Sequence, residues 1–197
     1  MIIGEPAPQK KKCWLIARQH PGETMAQWLM EGLLERLVDS EDMQMQELRK
    51  QALFYVVPNM NPDGSVRGHL RTNAVGTNLN REWLEPSLEK SPEVYYVRQR
   101  MHETGVDFFL DVHGDEAIPY NFLAGCEGVP SYSQQQKSLS DQFKSALKEA
   151  TREFQTEKGY PPNPPGKANL KIAANYVGET FGCTSFTLEM PFKDNFD

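Results

Sequence analysis

Apolar positions along the chain fall into two rhythms. Continuous apolar runs occur at residues 13–17 (CWLIA), 52–58 (ALFYVVP), 106–114 (VDFFLDVHG) and Thr184–Pro191 (TSFTLEMP). Runs of this length, bounded by Gly, Pro or Asn, suit buried strands. YNFLA at residues 120–124 reads as a further strand. Between these runs the apolar residues recur at spacings of three and four. Met25, Trp28, Leu29, Leu33 and Leu37 predict a helix with one buried face. The T-x-x-Q of Thr24 to Gln27 would open it as a capping box, and Asp39 and Ser40 would end it. A polar, methionine-containing segment after it also reads as helical. Ser91-Pro92 opens another helix, with proline at the first helical position, and Gly105 closes it. Leu139, Phe143, Leu147, Ala150 and Phe154 mark a third long helix. Residues 169–181 read as a further helix, with Gly182 as its stop.

Strands alternating with helices predict an α/β fold: a mixed, largely parallel central sheet flanked by helices. Residues 59–80, rich in Asn, Gly and Pro, read as a long loop, and residues 159–166 (GYPPNPPG) as a stiff one. In such sheets ligands bind beyond the carboxyl ends of the strands. His20, Glu23, His113 and Glu189 all lie at or just past such ends.

Composition narrows the picture. The chain has 197 residues, 39% apolar and 24% charged, which fits one globular domain. A net charge of −6 argues against a nucleic-acid partner, and the short lysine run at residues 10–12 reads as a solvated turn. The three cysteines, Cys13, Cys126 and Cys183, form no CxxC pair and read as core residues of a protein in a reducing cytoplasm. No apolar run is long enough to span a bilayer, and no signal-peptide core follows Met1.

The candidate chemistry begins with His20-Pro21-Gly22-Glu23, a histidine and a glutamate in one tight turn between strand and helix. A catalytic zinc takes three protein ligands from His and Asp or Glu and leaves a position for water. His113, at the end of another strand, could be the third. The spacing alone leaves other readings open: H-x-x-E is also a common surface turn, and a histidine after a strand can be a hydrogen-bonding residue. Arg71 and Arg81 could be solvated loop charges, and Asn80 a turn residue. Glu189 is harder to place innocently. It sits among apolar neighbours, where an unpaired carboxylate is costly, so a structural salt bridge is its plain alternative. Strand alternation puts Thr187 and Glu189 on one face.

Taken together, the stretches ARQHPGETMAQWLMEGLLERL, VVPNMNPDGSVRGHLRTNAVGTNLNREW, LDVHGDE and SFTLEMPFKDN resemble the zinc metallocarboxypeptidases, most closely the cytosolic branch. The resemblance spans almost the whole chain. It implies one zinc ion held by His20, Glu23 and His113, with Glu189 as general base. It implies that Arg71 polarises the scissile carbonyl, and that Asn80 and Arg81 grip the terminal carboxylate of a peptide or protein tail. It also implies that the family's early strands and closing helix are missing, so that 1–197 is an incomplete catalytic domain with exposed apolar sheet surface. The family often has Asp where this chain has Asn78, to orient a zinc-binding histidine; Asp111, on the same strand face as His113, could serve the other one or pair with a nearby Arg. Tyr160 and Tyr176 are candidates for the family's mobile tyrosine. Lys167 and Lys171 could favour acidic tails. The same residues would also suit a zinc deacylase of N-acyl amino acids, or a peptide-tail binder without catalysis.

Overall fold

The apolar runs become the strands of one sheet. In the computed structural model, which describes residues 1–194, the elements follow in the order β1 (Ile2–Ile3), β2 (Lys11–Ala17), α1 (Thr24–Val38), α2 (Met43–Gln51), β3 (Ala52–Val57), α3 (Pro62–Arg67), α4 (Pro92–Thr104), β4 (Phe108–Asp115), β5 (Phe122–Gly125), α5 (Gln134–Ala150), α6 (Ala173–Phe181) and β6 (Thr184–Pro191). The strand order is β1-β3-β2-β4-β6-β5. The four central strands run parallel, and β1 and β5 pair antiparallel at the edges. This is the mixed, largely parallel sheet expected from the alternation of elements.

Alternation along each strand sorts side chains onto two faces. Trp14, Ile16, Leu53, Tyr55 and Phe109 pack with Val94 and Met101 of α4 and Ala173, Ala174 and Val177 of α6. Leu15, Ala17, Phe54, Val56 and Val112 pack with Ala26, Met30 and Leu37 of α1. Further along that second face Phe186 stacks on Phe143 of α5, with ring centroids 5.3 Å apart. A sheet covered on both sides must be apolar on both sides, hence the continuous apolar runs.

Some local expectations are corrected. Thr24 is already inside α1, whose N-cap is Glu23 with no side-chain cap bond, so T-x-x-Q forms no capping box. A box does form at Ser133 and Gln136, opening α5. The buried stripe of α1 is Ala26, Met30 and Leu37; Leu29 and Leu33 lie at its margin and Trp28 is 71% exposed. Trp28 is two positions from Ala26, about 200° around the helix, so it faces away from the sheet. Phe154 lies beyond α5 but stays in the core with Leu123 and Phe186. Helix α6 starts only at Ala173, because Asn169 accepts the Lys171 N–H in a local turn.

The long loop is also more ordered than its composition predicts. It contains α3 and a 3-10 turn at Leu79–Arg81. Its asparagines replace missing backbone partners. Asn61 accepts from the Gly64 N–H and caps α3. Asn73 accepts from the N–H groups of Val75 and Thr77. Asn78 accepts from the Asn80 N–H.

Gly178 sits inside α6 where the helix meets β6. A Cβ there would fall 2.5 Å from the Cys126 Sγ and 2.7 Å from its Cβ. Helix propensity favours Gly178→Ala by about 1 kcal/mol, but overpacking costs about 1–3 kcal/mol. The substitution should therefore lower stability in urea denaturation despite the better helix former.

Candidate active site

The site is built where β2, β4 and β6 end side by side. β2 stops at Ala17, and Arg18 turns the chain in the left-handed region, at φ 61°. Its backbone N–H reaches Val112 O on β4 at 3.3 Å, and its Nε donates to Pro21 O at 3.1 Å. The following turn packs on the long loop. Gly22 donates its N–H to Leu70 O at 2.9 Å, and a Cβ on Gly22 would fall 2.6 Å from Leu70 Cδ1. Only glycine permits that approach. The turn thereby buries both His20 and Glu23, the latter at the start of α1. His113 arrives from β4. In the parallel register it pairs with Glu189 on β6, so the two side chains stand abreast on one face.

His20, Glu23 and His113 each offer one ligand atom, and these atoms all lie within 4.8 Å of one another. The inner atoms are the two Nδ1 nitrogens and the Glu23 carboxylate. Nδ1 to Nδ1 is 3.2 Å; Glu23 Oε1 lies 2.7 Å from His20 Nδ1, and Oε2 lies 2.8 Å from His113 Nδ1. The outer nitrogens are held by the protein. His20 Nε2 is 3.0 Å from Asn78 Oδ1, and His113 Nε2 is 2.8 Å from Asp111 Oδ2. An amide thus serves one histidine and a carboxylate the other.

Charge follows from these contacts. Burial opposes a charge on His113, but Asp111 and Glu23 together raise its pKa well above the ordinary value. Burial holds the His20 pKa below its ordinary value. Burial alone would raise Glu23, yet His113 and His20 bring it down to about 2. Two imidazole nitrogens facing one carboxylate at these distances call for positive charge among them, as a proton or a metal cation. The donor set of two imidazoles and one carboxylate, with both outer nitrogens fixed, fits zinc.

A cavity of about 850 Å³ opens over this cluster. Glu189 lines it, is buried, and has one carboxylate oxygen, Oε2, without a hydrogen-bond partner among the described residues. Burial first, then the charges of Glu23, Asp111 and Asp115 against the opposing pull of His113, push Glu189 up to about 8. Arg71 and Arg81 also line the cavity and are exposed. Arg81 donates to Asn80 O at 2.7 Å, and burial together with the nearby Arg71 charge lowers its pKa. Asn80 is buried between these groups. Its Oδ1 accepts from the Ala173 N–H at 2.9 Å, and its Nδ2 lies 3.4 Å from His113 Nε2.

Other candidates separate cleanly. Tyr160 lines the cavity and donates its hydroxyl to Asp115, whereas Tyr176 is a core residue with Arg98 over its ring at 4.2 Å. Lys167 and Lys171 are exposed and do not line the cavity. The lysines that do line it are Lys144, paired with Glu127 at 3.0 Å, and Lys158. No spacing in the chain marks these two lysines, nor Gln19 and Trp83, which stand behind Asp111. Polar residues buried one layer out follow no spacing rule.

A sequence profile of the zinc carboxypeptidases (Peptidase_M14) matches residues 1–197. An uncharacterized protein of Zymomonas mobilis is 56% identical over 188 residues, covering 95% of this chain and 50% of that protein. A metallo-carboxypeptidase from Pseudomonas aeruginosa, solved in complex with (2-guanidinoethylmercapto)succinic acid, superposes with a TM-score of 0.95 at 54% identity, covering 98% of this chain and 52% of the other. Human cytosolic carboxypeptidase 4 is 38% identical over 117 residues, 57% of this chain and 10% of that protein. The chain therefore spans about half the length of the first two and a tenth of the third.

The orphaned, buried Glu189 carboxylate makes a pH prediction for the metal-free protein. Its folded pKa of about 8 exceeds the ordinary value of 4.5, so between these values the folded state binds the extra proton. Stability must then fall as pH rises through that window. Glu189→Gln removes this loss. Melting curves taken between pH 5 and 8, with chelator present, should show wild type losing ground to the variant by up to a few kcal/mol. Parallel curves would show that Glu189 is ionised throughout.

Proposed function

This chain belongs to the zinc carboxypeptidase family, and on that premise we propose that it hydrolyses the C-terminal peptide bond of peptides or protein tails. The observation that carries the reading is the convergence of His20, Glu23 and His113 beside a buried, half-unpartnered Glu189, beneath a cavity with two arginines. We assign His20, Glu23 and His113 as the metal ligands. Zinc bound there would polarise the scissile carbonyl and make a water acidic enough to attack it near neutral pH.

The remaining steps fall to the chain's own residues. The Glu189 carboxylate takes the proton of the attacking water and passes it to the leaving amine. Arg71 offers N–H donors to the oxyanion that develops on the former carbonyl. Arg81 presents a planar fork to the terminal carboxylate of the substrate. Asn80 has its Oδ1 committed to the Ala173 N–H, so only its Nδ2 can join Arg81 as a donor. We assign Tyr160, at the cavity wall with its hydroxyl on Asp115, to cover a bound peptide end.

The lining also bears on the substrate side chain. Lys167 and Lys171 do not line the cavity, so neither supports a preference for acidic tails. Glu116, Glu127 and Glu157 are in the walls against two lysines, Lys158 and Lys144, the latter paired with Glu127. The Pseudomonas aeruginosa relative holds a succinic acid derivative with a guanidino group. Both observations support a preference for basic C-terminal residues. Three free thiols and the cytosolic naming of a relative support a cytoplasmic location as part of the proposal. Among the described residues no helix is long and apolar enough to cross a membrane.

Metal analysis should find one zinc per chain, lost on His20→Ala or His113→Ala. Glu189→Gln should keep the zinc but lower kcat by about 10²–10⁴-fold on a short peptide. An unchanged kcat would remove Glu189 from the chemistry. A second comparison tests recognition. Peptides ending in arginine should be cut faster than peptides ending in glutamate, and a C-terminal amide should block cleavage. Arg81→Ala should raise KM for the free acid. If acylated amino acids are cleaved and peptides are not, the protein is a deacylase; if zinc-free protein binds peptide ends as well as the loaded form and nothing is ever cut, it is a binder.

A further inference from the structure

We propose that Gln19 is a positioning residue that, acting through Asp111, fixes which nitrogen of His113 is free to meet the metal. The inference rests on the assignment of His113 as a ligand. Gln19, Trp83, Asp111 and His113 are all buried, the first three with no exposed surface. They form one hydrogen-bonded line. Trp83 Nε1 donates to Gln19 Oε1 at 2.8 Å, Gln19 Nε2 donates to Asp111 Oδ2 at 2.6 Å, and Asp111 Oδ2 lies 2.8 Å from His113 Nε2.

Each bond in this line has one direction open to it: the indole at its far end orients the Gln19 amide, and the carboxylate only accepts. An indole N–H can only donate. It must therefore meet the oxygen of the Gln19 amide, which leaves the Gln19 NH₂ pointing at Asp111. An NH₂ group can only donate, so Asp111 accepts there with Oδ2. That same oxygen is left to accept the proton on His113 Nε2. With Nε2 carrying a proton, neutral His113 has its lone pair on Nδ1, the atom that faces His20 and Glu23. The carboxylate, which can only accept, thus sets the tautomer at the cluster, and Trp83 and Gln19 hold its accepting oxygen in line with His113 Nε2.

Two further observations make Gln19 a fixed part of this line. Its backbone carbonyl accepts from Asn61 Nδ2 at 3.0 Å, which ties it to the loop behind the site. Asp111 Oδ1 has no partner among the described residues, and both of the hydrogen bonds seen there to hold the carboxylate fall on Oδ2. Removing Gln19 leaves Asp111 with His113 alone and free to rotate about its last bond. Trp83 is braced in turn: Arg98 donates to its carbonyl at 2.6 Å, and its ring packs against Phe109 and Tyr176.

The test measures zinc affinity of the full protein by competition with a chromogenic chelator at pH 7.5, with near-UV circular dichroism as the check on folding. Gln19→Met should weaken zinc binding by about 10- to 100-fold, the range for loss of a group that supports a ligating histidine. Trp83→Phe, which keeps the ring and removes the one N–H, should weaken it in the same direction and decides the matter if Gln19→Met does not fold. In an Asp111→Leu background neither substitution should cause further loss, because the group through which they act is gone. Unchanged affinity in both single variants overturns the proposal, and so does a full additional loss in the Asp111→Leu background. His113→Ala separates this inference from the assignment beneath it. If that variant still binds zinc like the wild type, the ligand assignment is wrong; if it loses zinc while Gln19→Met does not, only the role of Gln19 is wrong.

Discussion

The constraint on which the site depends is the burial of three mutually facing polar groups, His20, Glu23 and His113, in a space too small for them without shared positive charge. Their inner atoms approach to between 2.7 and 3.2 Å. Taking such groups out of water costs several kcal/mol each unless every remaining polar atom is paired. The surrounding residues answer that requirement from outside. Asn78 takes the outer nitrogen of His20, Asp111 takes that of His113, and Gln19 and Trp83 stand behind Asp111. Because each outer partner is tied to a different strand or loop, the histidine rings are oriented before any ligand arrives.

The sheet supplies the rigidity that this arrangement needs. β2 and β4 are neighbours, so the turn after one and the end of the other reach the same corner. The register of β4 with β6 places Glu189 level with His113 without any loop adjustment. A shift of one residue in that register would send Glu189 to the α5 face, since side chains alternate along a strand. Phe186 and Phe143 resist such a slip by their stacking on the opposite face.

Much of this was legible from residue order, for physical reasons. Buried parallel strands must be apolar on both faces, so 13–17, 52–58 and Thr184–Pro191 stood out. Chemistry-bearing residues gather where such strands end, so His20, His113 and Glu189 stood out too. Helix faces were read less well. Trp28 looked like core because tryptophan is apolar, yet the stripe that meets the sheet is set by Ala26 and Met30, whose small or flexible side chains allow a close approach. The long loop was misread for a related reason: asparagine side chains stand in for backbone partners, and composition does not reveal which N–H each one finds. Gln19 was invisible because a buried amide announces itself only through partners distant in sequence, here Trp83 and Asp111.

Rigidity is also graded across the site, and the grading matches the tasks proposed for its parts. The metal-ligand candidates are buried and held on both sides. Arg71 lies in the long loop and Arg81 ends its 3-10 turn, both exposed, and among the described residues neither forms a salt bridge that would compete with an incoming carboxylate. Asn80 joins the two zones. Its Oδ1 is anchored on the first N–H of α6, its Nδ2 lies beside His113, and its carbonyl accepts from Arg81. A carboxylate drawn to Arg81 would therefore press on a residue already braced against the ligand cluster. Under the proposed function, one buried side chain would thus keep substrate end and reacting bond at a set separation, the spacing that cutting only the last bond of a chain requires.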